Sequence, residues 1–167
     1  MMRTRAVRLY GKSDLRVEEF DLPPMKSDEI LAKVVSDSLC MSSYKAAIQG
    51  TDHKRIPDNA AENPVMIGHE FSGEIVEVGS KWEASFKPGD KFAIQPALNY
   101  PDGPVGILGA PGYSYGFLGG DATYVIIPNE VMEMGCLLVY KGPGFYPAVA
   151  AATHTRPRTM RAGQRMR

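Results

Sequence analysis

Cys40 and the adjacent pair His69-Glu70 are the residues of this chain with the sharpest chemical meaning. A thiolate and an imidazole are the ligands that zinc favours, and a carboxylate is the third type that it accepts. A catalytic zinc takes three protein ligands and keeps one position open, from which it acts as a Lewis acid on a carbonyl or alkoxide oxygen. Each residue also has a plainer reading. Cysteine is among the most buried residue types and packs as a small hydrophobe. A histidine before a strand is commonly a hydrogen-bonded surface or core residue.

The surrounding pattern says which elements must position them. Apolar runs and alternations predict strands over 6–10, 14–20 and 29–38, with Pro23-Pro24 breaking the chain between the last two. Residues 42–49 form the best short helix, with Gly50 as its stop. Residues 54–64 are polar, carry two prolines and read as a loop. Further strands are predicted over 70–78, 91–95 and 123–127, the second after the turn at Pro88-Gly89-Asp90 and the third closed by Pro128. Cys40 then leaves one strand just before a helix and His69-Glu70 opens another, so the three could meet at one end of a barrel. Residues 98–120 are dense in Gly and Pro and read as a long irregular loop, packed through Tyr100, Tyr113 and Tyr115. Short strands separated by turns suggest a barrel or sandwich rather than alternating β and α units.

The bulk properties bound the class without naming a function. At 167 residues the chain has the size of one domain and can bury a core. Its formal net charge is zero, but no acid follows Glu133, and five arginines crowd the 147–167 tail. Arginines without aromatic interleaving, on an otherwise acidic body, argue against nucleic acid or membrane as partner. Two cysteines make no disulfide framework and suit a reducing compartment. The basic start has no apolar run behind it, and no stretch has the length of a membrane span, so the expected location is cytoplasmic. His53 and His154 read as ordinary exposed histidines, and Cys136 as a core thiol.

Four segments carry a family resemblance. Residues 67–79, IGHEFSGEIVEVG, look like the GHE segment of zinc-dependent medium-chain alcohol dehydrogenases. Residues 39–45, LCMSSYK, resemble the segment that holds their first zinc ligand, usually C-G-[ST]-D. KPGDKFA at 87–93 is similar to their P-G-D-R-V turn and strand, and GGDATYVIIP at 119–128 to their G-G-[FA]-A-E-Y-V-x-V-P. The order and spacing match over about residues 3–146, and the wording is that of the polyol and keto-sugar-phosphate branch. The resemblance implies a GroES-like barrel, mainly β with short helices, over residues 1–146. It implies zinc held by Cys40 and His69, with Glu70 as an exchangeable ligand or a residue behind the ligands. It places Ser42 at the proton-relay position, where the plainer reading is a helix N-cap. The substrate would be a polyol or sugar phosphate.

Departures from the pattern set further expectations. Met41 and Ser43 replace the usual Gly and Asp around Ser42. The stretch that holds four cysteines and a structural zinc in relatives has no cysteine here, so a second zinc is not expected. The third zinc ligand of polyol-type members, a carboxylate further along, and the Rossmann glycine turn have no counterpart; Gly142-Pro143-Gly144 is no substitute, because proline removes an amide that would cradle pyrophosphate. NAD(P) is therefore not expected to bind this chain, and no dehydrogenase turnover is expected from it alone. The abrupt change near Tyr146 fits a frameshift or artificial junction, which translation of the other two reading frames would test. Two rivals remain at this point: a zinc protein without redox chemistry, and a non-enzymatic GroES-like binding module. The oligomeric state is open.

Overall fold

The computed structural model describes residues 1–140. The elements follow as β1 (Arg3–Gly11), β2 (Asp14–Asp21), β3 (Ile30–Asp37), α1 (Met41–Gln49), β4 (Val65–Met66), β5 (Phe71–Val78), β6 (Lys91–Ile94), β7 (Tyr124–Ile127), α2 (Asn129–Glu133) and β8 (Leu137–Tyr140). They form a three-stranded sheet in the order β2-β1-β4 and a five-stranded sheet in the order β7-β3-β5-β6-β8. Every pairing is antiparallel. The sheets are stitched where the chain enters β7. Val7 N–H donates to the Asp121 carbonyl (2.8 Å), Thr123 N–H to the Arg5 carbonyl (3.0 Å), and Thr4 Oγ1 to the Tyr124 carbonyl (2.8 Å).

The mainly β expectation holds, and each expected strand is present with its ends shifted by a few residues. β1 starts earlier than predicted, because Thr4 turns its hydroxyl into the Thr123 seam and is buried despite its polarity. Three elements were not anticipated: the two-residue β4, the short helix α2 and the edge strand β8. β8 is Leu-Leu-Val-Tyr, buried at all four positions, so it offers no alternation to read. Pro128 does close β7, and it also opens α2.

The core lies between the sheets. Phe71 and Phe92 are fully buried and meet edge to face at 6.1 Å and 87°. Each ring contributes about 1.5–3 kcal/mol through burial alone. A smaller cluster of Leu9, Ala46, Ile56, Val65, Ile67, Ala110 and Tyr113 packs under α1 and the 98–120 loop. That loop has one turn of 3-10 helix at Gly106–Leu108 and no strand, yet Leu98, Ala110, Tyr113, Tyr115 and Leu118 are buried in it. Its tyrosines therefore pack as expected, Tyr100 only in part. Among the described residues no helix is long and apolar enough to cross a membrane. The 147–167 tail, Gly142-Pro143-Gly144 and His154 lie outside the described residues.

Candidate metal centre

α1 is short and ends at Gly50, whose φ of +54° takes the chain out of the helix while its N–H caps the Ala46 carbonyl. Its buried face is only Ala46 and Ala47, so the helix lies close against the barrel. The N-cap is Cys40, in extended conformation, whose Sγ accepts from Ser42 N–H at 3.5 Å. Ser42 is thus not the cap that its residue type suggested. It sits in the first turn of the helix and is exposed.

His69 and Glu70 come from the turn between β4 and β5, and both are buried. The turn depends on Gly68, at φ +91°, where a Cβ would collide with Asp37 Oδ2 and stand 2.5 Å from the Asp121 nitrogen. Asp37, the last residue of β3, ties the turn down. Its Oδ1 accepts from Ser38 N–H (2.8 Å) and Glu70 N–H (3.2 Å). Burial, and then the neighbouring Asp121 carboxylate, push the Asp37 carboxyl up to about 7. Burial raises Asp121 as well.

These elements bring Cys40, His69 and Glu70 together, with one ligand atom from each within 4.8 Å of the others. The histidine is oriented. Ser43 Oγ lies 3.1 Å and Tyr113 OH 3.0 Å from Nδ1, while Nε2 lies 3.5 Å from Glu70 Oε1. Sulfur, nitrogen and carboxylate oxygen converging at one point is a donor set that fits a three-ligand zinc site. A cleft of about 390 Å³ opens beside Cys40, walled by apolar Leu39, Met41 and Tyr44 and by oxygen-bearing Ser38, Asp37 and Asp121.

Three supporting residues were not singled out for the site by the sequence reading. Asp37 carried a signal, an acid at the end of an apolar strand. Tyr113 and Asp121 carried none, because loop geometry alone brings them in. His53, expected to be exposed, is half-buried and stacks on Tyr113 with centroids 5.7 Å apart and planes at 11°. Burial, followed by Arg55, Lys45 and Lys54, lowers its pKa. Cys136 is the core thiol expected. It is buried, its Sγ donates to the Ala97 carbonyl at 3.4 Å, and burial pushes it up to about 11.

Residues 26–135 match the alcohol dehydrogenase GroES-like domain. The chain is 55% identical over 146 residues to L-sorbose 1-phosphate reductase of Klebsiella pneumoniae, covering 87% of this chain and 35% of that protein. It is 44% identical over 151 residues to mannitol-1-phosphate 5-dehydrogenase of Aliivibrio fischeri, covering 90% of this chain and 34% of the relative. The chain therefore spans about a third of the length of these curated relatives. Among solved structures, 2R,3R-butanediol dehydrogenase from Bacillus subtilis superposes with a TM-score of 0.71 at 27% identity, over 89% of this chain and 44% of that one.

Proposed function

This chain belongs to the alcohol dehydrogenase GroES-like domain family, and on that premise we propose that Cys40, His69 and Glu70 hold a catalytic zinc on the substrate side of a polyol or keto-sugar-phosphate oxidoreductase. The observation that carries the reading is the convergence of thiol, imidazole and carboxylate within 4.8 Å, from two separate segments, beside an open cleft. Zinc bound there would supply Lewis acidity toward a carbonyl or alkoxide oxygen.

The chain's own residues have distinct tasks in this reading. Cys40 supplies the sulfur ligand from the N-cap position of α1, beside the cleft. His69 presents Nε2 because its Nδ1 is engaged by two hydroxyls. Glu70 is the third ligand or an exchangeable one, held in place through its backbone by Asp37. Ser42, exposed in the first turn of α1 two residues after Cys40, would take the proton of the substrate hydroxyl onto Oγ and pass its own to solvent. The mixed wall of the cleft suits a substrate with a carbon chain and several hydroxyls. The nicotinamide cofactor that would exchange hydride is not assigned to any described residue.

Zinc content per chain after chelator washing and reloading tests the reading. One equivalent in the wild type and none in Cys40→Ala is expected. Equal zinc in both, or none in the wild type, would overturn it.

A further inference from the structure

We propose that Tyr113 is the positioning residue of the metal-binding histidine: its phenol, together with the Ser43 hydroxyl, fixes the His69 ring so that Nε2 faces Cys40 and Glu70. The inference rests on the zinc reading of that cluster and adds a task for the long loop that the cluster alone does not explain.

The geometry is built, not incidental. Tyr113 OH is 3.0 Å and Ser43 Oγ 3.1 Å from His69 Nδ1, and the Tyr113 and His69 rings lie with centroids 4.7 Å apart at 38°. His53 stacks on the same phenol ring, so Tyr113 is held between two imidazoles. Both Tyr113 and His69 are buried, so water does not compete freely for Nδ1.

The backbone around Tyr113 is fixed just as closely. Gly112 has φ +73°, and a Cβ on it would run into the Gly68 carbonyl, so the loop rests directly on the turn that carries His69. Gly112 N–H donates to the Leu118 carbonyl (3.0 Å). Ser114 Oγ donates to the Arg55 carbonyl (2.7 Å) and accepts from Ala110 N–H (3.1 Å). The phenol is thus set by a hydrogen-bonded turn of the loop rather than by a strand.

The chemistry differs from orientation by an acid. A metal-bound imidazole usually donates its other N–H to a carboxylate, a carbonyl or water, which fixes the tautomer. Here both partners of Nδ1 are hydroxyls, and burial keeps the phenol neutral by pushing it up to about 12. A neutral hydroxyl orients the ring without adding a negative charge behind the metal.

The test uses the full chain and the variant Tyr113→Phe. Phenylalanine keeps the ring stacking and removes only the hydroxyl. Two readouts are taken: zinc affinity by competition with a chelator, and the side-chain ¹⁵N shifts of His69 in metal-free protein. In the metal-free wild type, the two His69 nitrogens should be widely split, as for one fixed tautomer. In Tyr113→Phe they should move toward their average, and zinc should bind roughly 10-fold to 100-fold more weakly. Unchanged ¹⁵N shifts in Tyr113→Phe overturn the positioning role, even if zinc binding weakens. Shifts that move in a protein whose wild type takes up no zinc would support the orientation of His69 by Tyr113 and overturn the zinc reading instead.

Discussion

The two cysteines mark two regions that treat the same side chain in opposite ways. Cys40 stands half-buried at the N-terminus of α1, accepts a backbone N–H, and shares its space with His69 and Glu70. Cys136 lies in the core just before β8, donates to a carbonyl, and is pushed up to about 11 by burial. Neighbouring polar groups at that far end pair off with each other. Tyr115 donates to Glu130, Lys81 bridges Asn129 and Glu133, and Trp82 Nε1 donates to the Asp28 carbonyl and to Asn129. At the Cys40 end, three carboxyls and an imidazole are gathered instead, and burial raises two of those carboxyls, Asp37 and Asp121. Composition does not separate a structural thiol from a ligand. The difference is made by whether the surrounding groups answer one another or converge.

The contrast can be broken from its core outward. Phe71 follows Glu70 directly and is fully buried against Phe92, so it anchors the metal end to the barrel. Phe71→Ala should cost about 3–5 kcal/mol by denaturant unfolding, and the loss should exceed that of Cys136→Ala. Next is the turn glycine. Gly68→Ala places a methyl group into Asp37 at a positive φ and should destabilise by roughly 3 kcal/mol. Gly89→Ala has a similar φ of +84° but open space around it, and should cost only about 1 kcal/mol. Similar costs at the two glycines would show that the turn around His69 is not tightly built.

A pH series sharpens the contrast further. The folded pKa of Cys136 lies above the 9.0 of an ordinary thiol. The stability tied to its protonated form is therefore complete below pH 9 and is lost as pH rises through about 11. Unfolding free energy should fall by up to about 2–3 kcal/mol on account of this thiol, and Cys136→Ala should make the slope shallower, leaving the part that the raised phenols Tyr113 and Tyr115 contribute above pH 10. Thiol reagents at neutral pH should label Cys40 first and Cys136 only after unfolding. Smallest of all, Lys81→Ala removes an ion pair between two exposed side chains and should leave the melting temperature nearly unchanged.

Much of this arrangement is legible in the residues themselves. Cys40 and His69-Glu70 stand out by residue type, and the alternation in β2 and the apolar start of β3 announce strands. The Gly50 stop could be read because only glycine suits that turn. Other features were hidden for physical reasons. β8 is buried throughout and so has no period, and the two residues of β4 are too few for one. The plainer reading of Ser42, a helix N-cap, does not hold, because the thiol of Cys40 takes that place although serine is the better intrinsic cap. The pairing of Tyr113 with His53 leaves no signal in the sequence, since a stack between two irregular segments makes no pattern along the chain.

The central claim is that Cys40, and not Cys136, is a metal ligand, and a cobalt(II) titration tests it most directly. Cobalt bound by a thiolate gives a near-ultraviolet charge-transfer band that oxygen and nitrogen ligands do not. The band should grow to saturation at one equivalent in the wild type and in Cys136→Ala, and be absent in Cys40→Ala. A band that persists in Cys40→Ala, or disappears in Cys136→Ala, would contradict the account.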